Sequence, residues 1–206
     1  MVLGKKVLVT VLLVWVKSQN VGSEETMFKA IVFDIGRTLV GYNKPLNWSV
    51  LYRPALEYIS NECNYNLKES EYQKAIDVLT KYNTRVNPRE YEVSSVQIFT
   101  EILKCIDVSL DDLAKVKHLF YSFFRREVTV YPEVEHTLAD LVEMGILLGT
   151  LSDVAYGMDN RYVLDDISTL RQYIGYPYTS NDVGYRKPNV EGLKFVAEKM
   201  TVDISE

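Results

Sequence analysis

The sequence predicts an α/β fold: a doubly wound, Rossmann-like parallel sheet with a helical insertion after its first strand. Three observations carry this. An apolar run, Lys29 to Phe33, ends in Asp34 and a glycine-containing turn, as a buried parallel strand does at the mouth of an open sheet. A second run, Ile146 to Leu151, ends in Ser152-Asp153. Between them lie helix-spaced apolar residues without strand patterning, and after them helix and strand signals alternate, as in doubly wound folds.

Taken in order, the strand at Lys29–Asp34 leads into a loop with Gly36, Gly41, Asn43 and Pro45. Four amphipathic faces follow, spaced by three and four residues. They are Leu51/Ala55/Leu56/Ile59, Tyr72/Ala75/Val78/Leu79, Val96/Phe99/Ile102/Leu103, and Leu110/Leu113/Val116/Phe120/Phe123/Phe124. Asn87-Pro88 separates the second from the third. Ser109, followed by Asp111 and Asp112, is a start signal for the fourth. Past Tyr131-Pro132, a helix lined by Val134, Leu138, Leu141 and Val142 ends at Gly145. The second strand comes next, then a helix from about residue 158 to 173 and a short strand, Tyr176 to Thr179. A last helix, about 190 to 200, follows Val183-Gly184-Tyr185-Arg186-Lys187-Pro188. The expected organisation is therefore an α/β core at 27–45 and 129–206, a helical cap at 46–128, and an N-terminal extension at 1–26.

Composition bounds the function. The chain has 206 residues, 47% of them hydrophobic, enough for a substantial core. With 23 basic against 28 acidic residues and a net charge of −5, nucleic acid is not an expected partner, because phosphate backbones are gripped by clustered Lys and Arg. The pair Arg125-Arg126 reads as the basic end of a helix. Cys63 and Cys105 lack metal-ligand spacing and read as reduced thiols, and His118 and His136 stand alone. Lys5-Lys6 and the apolar run Val7–Val16 are too short for a stable membrane span. The segment reads as an extended start, as a secretory signal with Val21-Gly22-Ser23 near the cleavage point, or as an extra strand. The expected location is the cytoplasm, or outside the cell if residues 1–23 are a signal. The sequence leaves the oligomeric state open.

Asp34, Ser152 and Lys187 would meet where the strands end, the region in which open α/β sheets bind ligands. A carboxylate nucleophile, a hydroxyl donor and a lysine suit phosphoryl transfer: the carboxylate attacks phosphorus while the donors hold the equatorial oxygens.

These stretches resemble the haloacid dehalogenase superfamily, in the subgroup with a helical cap after the first motif. Phe33-Asp34-Ile35-Gly36-Arg37-Thr38-Leu39 resembles motif one, Gly149-Thr150-Leu151-Ser152-Asp153 motif two, and Val183 to Pro188 motif three. The resemblance implies a Mg²⁺-dependent hydrolase, most often a phosphatase of small phosphorylated metabolites. Asp34 would be the nucleophile and a metal ligand, and the Gly36 backbone carbonyl a second ligand. Ser152 and Lys187 would hold the phosphate, with Arg37, Thr38 and Asp153 beside it. Arg37 would be an extra guanidinium on that phosphate.

Two departures qualify the implied activity. The family's phosphatases carry an aspartate acid two residues after the nucleophile, where this chain has Gly36. General acid–base catalysis is worth about 10²–10⁴-fold, so the expectation is a bias toward leaving groups that need little protonation. The family's fourth motif, a strand with one or two metal-binding acids beside the first strand, has no counterpart before Asp203-Ile204-Ser205-Glu206. The expectation is a fragment of a longer protein, in which one edge of the Asp34 strand lacks a partner. Two other functions fit the same residues: a metal-independent 2-haloacid dehalogenase, whose halide leaves without a proton and for which Arg53 is a candidate carboxylate anchor, and a non-catalytic protein that keeps the fold to bind a partner.

Overall fold

The computed structural model describes residues 11–14, 29–43, 47–125 and 127–204. A four-stranded sheet forms the centre. Strands β1 (Val11–Val14), β2 (Ala30–Phe33), β5 (Leu147–Ser152) and β6 (Tyr176–Thr179) lie in that order across it. β2 and β5 run parallel, with Ala30 opposite Leu147 and Phe33 opposite Thr150. β5 and β6 also run parallel, bringing Ser152 level with Thr179. The strand ends that carry Asp34 and Ser152 therefore face the same way.

The sheet is covered on both faces, which is why its strands read as continuous apolar runs. Side chains alternate as the pleat demands. Ile31, Phe33 and Leu148 join the large core beneath the helices, whereas Ala30, Val32 and Leu151 pack against Val196 and Met200. Val196 lies on helix α8 (Glu191–Lys199) and Met200 caps its end, while α5 (Val134–Glu143) precedes β5.

Four helices fill the insertion: α1 (Tyr52–Cys63), α2 (Glu69–Tyr82), α3 (Ser95–Cys105) and α4 (Leu113–Phe124). The Ser94 hydroxyl accepts from Gln97 N at 3.2 Å, which starts α3. Ser109 accepts from Asp111 N at 3.2 Å, but the first turn there is 3₁₀, and α4 itself begins at Leu113. Their buried faces hold Leu56, Ile59, Leu79, Phe99, Leu103, Phe120 and Phe124. Val96 and Leu110, assigned to these faces by spacing, are exposed instead. The helices share one apolar cluster with Ile31 and Phe33 of the sheet, so cap and core have a common interior.

Three features depart from the sequence reading. The loop after Asp34 contains a strand, β3 (Val40–Tyr42), paired antiparallel with β4 (Val128–Val130). This ribbon clamps the two chain crossings of the insertion together. The helix expected over 158–173 is shorter, α6 (Asn160–Asp166), followed by a 3₁₀ turn at Ser168–Leu170. The third departure is a correction: the outer edge of the Asp34 strand has a partner, because β1 lies antiparallel to β2 with Val11 opposite Phe33 and Val14 opposite Ala30. An apolar segment supplied from earlier in the same chain satisfies that edge's backbone groups. Lys5-Lys6 and Val21-Gly22-Ser23, on which the signal reading turned, lie outside the described residues. Among those described, no helix is long and apolar enough to cross a membrane.

Candidate active site

β2 ends at Phe33 and delivers Asp34, whose side chain is 24% exposed, to the sheet's C-terminal mouth. The backbone then turns sharply, with Thr38, Leu39 and Val40 N–H groups all converging on the Ile35 carbonyl. Short helix α7 (Ser180–Val183) follows β6 and ends at Gly184 in the left-handed region, φ +79°. That turn sends the chain back across the mouth of the sheet.

Lys187 is fixed at three points. Its Nζ donates to Asp34 Oδ1 at 2.9 Å and to the Leu151 carbonyl at 3.1 Å, and its backbone N donates to Asp153 Oδ1 at 3.1 Å. The ammonium is thus bound to the carboxylate of one strand and the backbone of the next. Ser152 is buried at the end of β5, and its hydroxyl has no hydrogen-bond partner among the described residues. Burial pushes the Asp153 carboxyl above its usual range, opposed by Arg186 and by its bond to the Lys187 backbone.

Asp34, Gly36, Ser152, Asp153 and Lys187 line one cavity of about 420 Å³ between sheet and helices, a size suited to a small organic molecule. Arg37 and Thr38 do not line it. Arg37 is exposed at φ +64°, and Thr38 is buried away from the cavity. The tight turn that presents Asp34 aims the next two side chains elsewhere. Arg53 is spent on Glu57 at 2.7 Å and Glu69 at 2.6 Å, on the outside of the cap. His136 is exposed beside Asp140, and His118 Nδ1 lies 3.0 Å from the Tyr162 hydroxyl.

Two buried charge clusters escaped the sequence reading. Arg186 Nη1 donates to Glu92 Oε2 at 2.5 Å and to the Val154 carbonyl at 2.7 Å, and the Ser180 hydroxyl donates to the same Glu92 oxygen at 2.6 Å. This pair ties the cap's Glu92 to the loop that carries Lys187. Only its place one residue before Lys187 singles Arg186 out in the sequence. The second cluster is Asp166, which is 1% exposed and accepts from Arg125 Nη2 at 2.5 Å, from Arg125 Nε at 3.0 Å and from the Tyr42 hydroxyl at 2.9 Å. Arg125 does stand at the end of α4, as the sequence suggests, with its side chain turned inward. It closes a buried ion pair across 41 residues of sequence. Burial raises the Asp166 carboxyl against the downward pull of Arg125, and burial with the Asp166 charge raises the Tyr42 phenol.

A carboxylate and a hydroxyl at two strand ends and a lysine on the loop after α7 meet in one cavity, under helices inserted after β3. This is the arrangement that the resemblance to the haloacid dehalogenase superfamily implies. No protein-family model and no curated protein matches the chain. Solved structures do. A Thermotoga maritima protein assigned as a β-phosphoglucomutase is 16% identical, with 84% of this chain and 70% of that one covered at a TM-score of 0.49. A Haemophilus somnus protein assigned as a phosphoglycolate phosphatase is 17% identical, with 85% and 72% covered at 0.48. The L-2-haloacid dehalogenase of Xanthobacter autotrophicus is 15% identical, with 86% and 66% covered at 0.45.

The resemblance named from the sequence implies Mg²⁺, and the oxygens at the Asp34 end can be compared with what that ion requires. Asp34 Oδ2 and the Gly36 carbonyl carry no hydrogen bond among the described residues. Mg²⁺ keeps several waters and takes one or two carboxylates together with substrate phosphate, a sparse requirement that these two oxygens fit. Among the described residues no three His, Cys, Asp or Glu side chains gather to hold a metal, so water and phosphate would complete the coordination.

Proposed function

We propose that the chain is a haloacid dehalogenase-family phosphohydrolase acting on a small phosphate monoester through an aspartyl-phosphate at Asp34. The observation that carries this is the Lys187 ammonium 2.9 Å from Asp34 Oδ1 in a cavity that also holds the free Ser152 hydroxyl. Lys187 orients the Asp34 carboxylate, as a nucleophile needs. Asp34 attacks phosphorus, the bond to the leaving oxygen breaks, and that oxygen departs with the electron pair. Lys187 and Ser152 hold the non-bridging oxygens as charge shifts onto them. Water then attacks the aspartyl-phosphate, releasing inorganic phosphate, restoring the carboxylate and passing its proton to solvent. Asp34 and the Gly36 carbonyl would hold Mg²⁺, which when bound neutralises phosphoryl charge. The expected setting is the cytoplasm.

The test is trapping. Incubation with a labelled phosphate ester followed by acid quench should give hydroxylamine-sensitive label on the protein, abolished in Asp34→Asn. Turnover that persists in Asp34→Asn sinks the proposal. One observation favours a second reading: Gly36 offers no proton donor, and a halide leaving group needs none. Chloride release from 2-chloropropionate, with no turnover of phosphate esters, identifies that reaction.

A further inference from the structure

Part of the cavity lining is aromatic. Trp48 stacks on Phe124, with centroids 4.0 Å apart and planes 6° from parallel, and it also stacks on Tyr156 at 5.8 Å. Tyr42 and Tyr82 complete that wall. The Tyr156 hydroxyl is bonded to the Tyr52 hydroxyl, which also accepts from Asn83 Nδ2 at 2.9 Å. The ring of Tyr156 is therefore held in place by its polar end. The rings lie beside the polar groups of Asn83, Thr84 and Arg85, which line the same cavity, and ring pairs are attractive in both stacked and edge-on arrangements.

Gly36 points the same way independently. A leaving oxygen that departs without a proton must be a stable anion. An alkoxide is not, whereas a phenol ionises near pH 10. A Cβ at Gly36 would meet only Tyr42 Cε2, at 3.5 Å, so an aromatic edge rather than a carboxyl borders the place of the missing acid.

We infer that the substrate is a small aryl phosphate monoester whose ring lies against Trp48, Phe124 and Tyr156. This rests on the phosphohydrolase reading of Asp34. Asp34 Oδ bonds to phosphorus as the P–O(aryl) bond breaks, and the aryloxide leaves with the electron pair, taking its proton from water afterwards.

Two measurements on the full chain separate the inference from its foundation. The first is hydrolysis of phenyl phosphate against glycerol 2-phosphate. The expected kcat/KM ratio is about 10²–10⁴, the factor a general acid would otherwise supply. The second is calorimetric binding of phenylphosphonate against methylphosphonate, neither of which can be hydrolysed. The ring should tighten binding about 10-fold or more, on the scale of burying an aromatic side chain. Trp48→Leu should erase that preference and Trp48→Phe should keep it. Should Trp48→Leu fail to fold, Phe124→Leu tests the same wall. Phenylphosphonate binding no tighter than methylphosphonate overturns the aromatic inference even where Asp34-dependent hydrolysis persists. A ring preference in binding, with no hydrolysis of any phosphate ester, overturns the phosphohydrolase reading and leaves the aromatic site standing.

Discussion

Gly157 supports the most demanding prediction. It sits at φ +62° in the turn after the Ser152 strand, and a Cβ there would lie 2.3 Å from the Val93 carbonyl oxygen, 2.4 Å from Ser95 N and 2.7 Å from Ser94 C. All three are backbone atoms at the start of α3, so no side chain can swing aside. Gly157→Ala therefore adds a clash to the left-handed conformational cost. The conformational part is about 1–2 kcal/mol for an L-residue, and overpacking adds about 1–3 kcal/mol. Gly145 is a built-in control: it has φ +77° but nothing within 4 Å of an added Cβ, so Gly145→Ala should cost only the first part. Urea denaturation followed by circular dichroism should place Gly157→Ala about 1–3 kcal/mol below Gly145→Ala at unchanged m-value. Equal losses would refute the reasoning, since they would mean that the turn does not press against the cap.

Gly36→Asp should raise turnover of alkyl phosphates by up to about 10²-fold in steady-state assays and so narrow the aryl-to-alkyl ratio, because the site accepts a Cβ without a clash. Lys187→Ala should abolish most phosphatase activity yet lower stability by only about 1 kcal/mol in urea denaturation, because the pair it forms with Asp34 lies at the cavity mouth, with 28% and 24% of the two side chains exposed to screening solvent. Arg125→Ala should cost about 3 kcal/mol in the same denaturation experiment, since it strands the 1%-exposed Asp166 without its cation. Asp166 also sets a pH dependence. Its carboxyl is raised by burial, so the folded state holds that proton more tightly than the unfolded chain. The resulting stabilisation is complete below the unfolded value of about 3.9 and is lost as pH rises through the folded value. The stability advantage of the wild type over Asp166→Asn should therefore shrink as pH rises above about 4.

Local chemistry made much of this molecule readable. Apolar runs ending in Asp34 and in Ser152 announced two parallel strands, because strands covered on both faces need unbroken hydrophobicity. Spacings of three and four around Leu56, Leu79, Phe99 and Phe120 announced the cap helices, because a helix buries one stripe. The order of the three motifs placed Asp34, Ser152 and Lys187 at one end of the sheet, where the structure brings them into one cavity. What required tertiary structure depends on pairs far apart in sequence. Val11–Val14 covers the Asp34 strand's edge, Arg125 meets Asp166, and Arg186 meets Glu92. No periodicity records a partner 41 or 94 residues away. Arg37 and Thr38, adjacent to the site in sequence, are turned away from it by the hydrogen bonds that gather on Ile35. The candidate nucleophile Asp34 was thus legible in the sequence. The aromatic lining of its cavity is a property of the fold, since Trp48, Phe124 and Tyr156 come from three separate segments and meet only when the cap closes over the sheet.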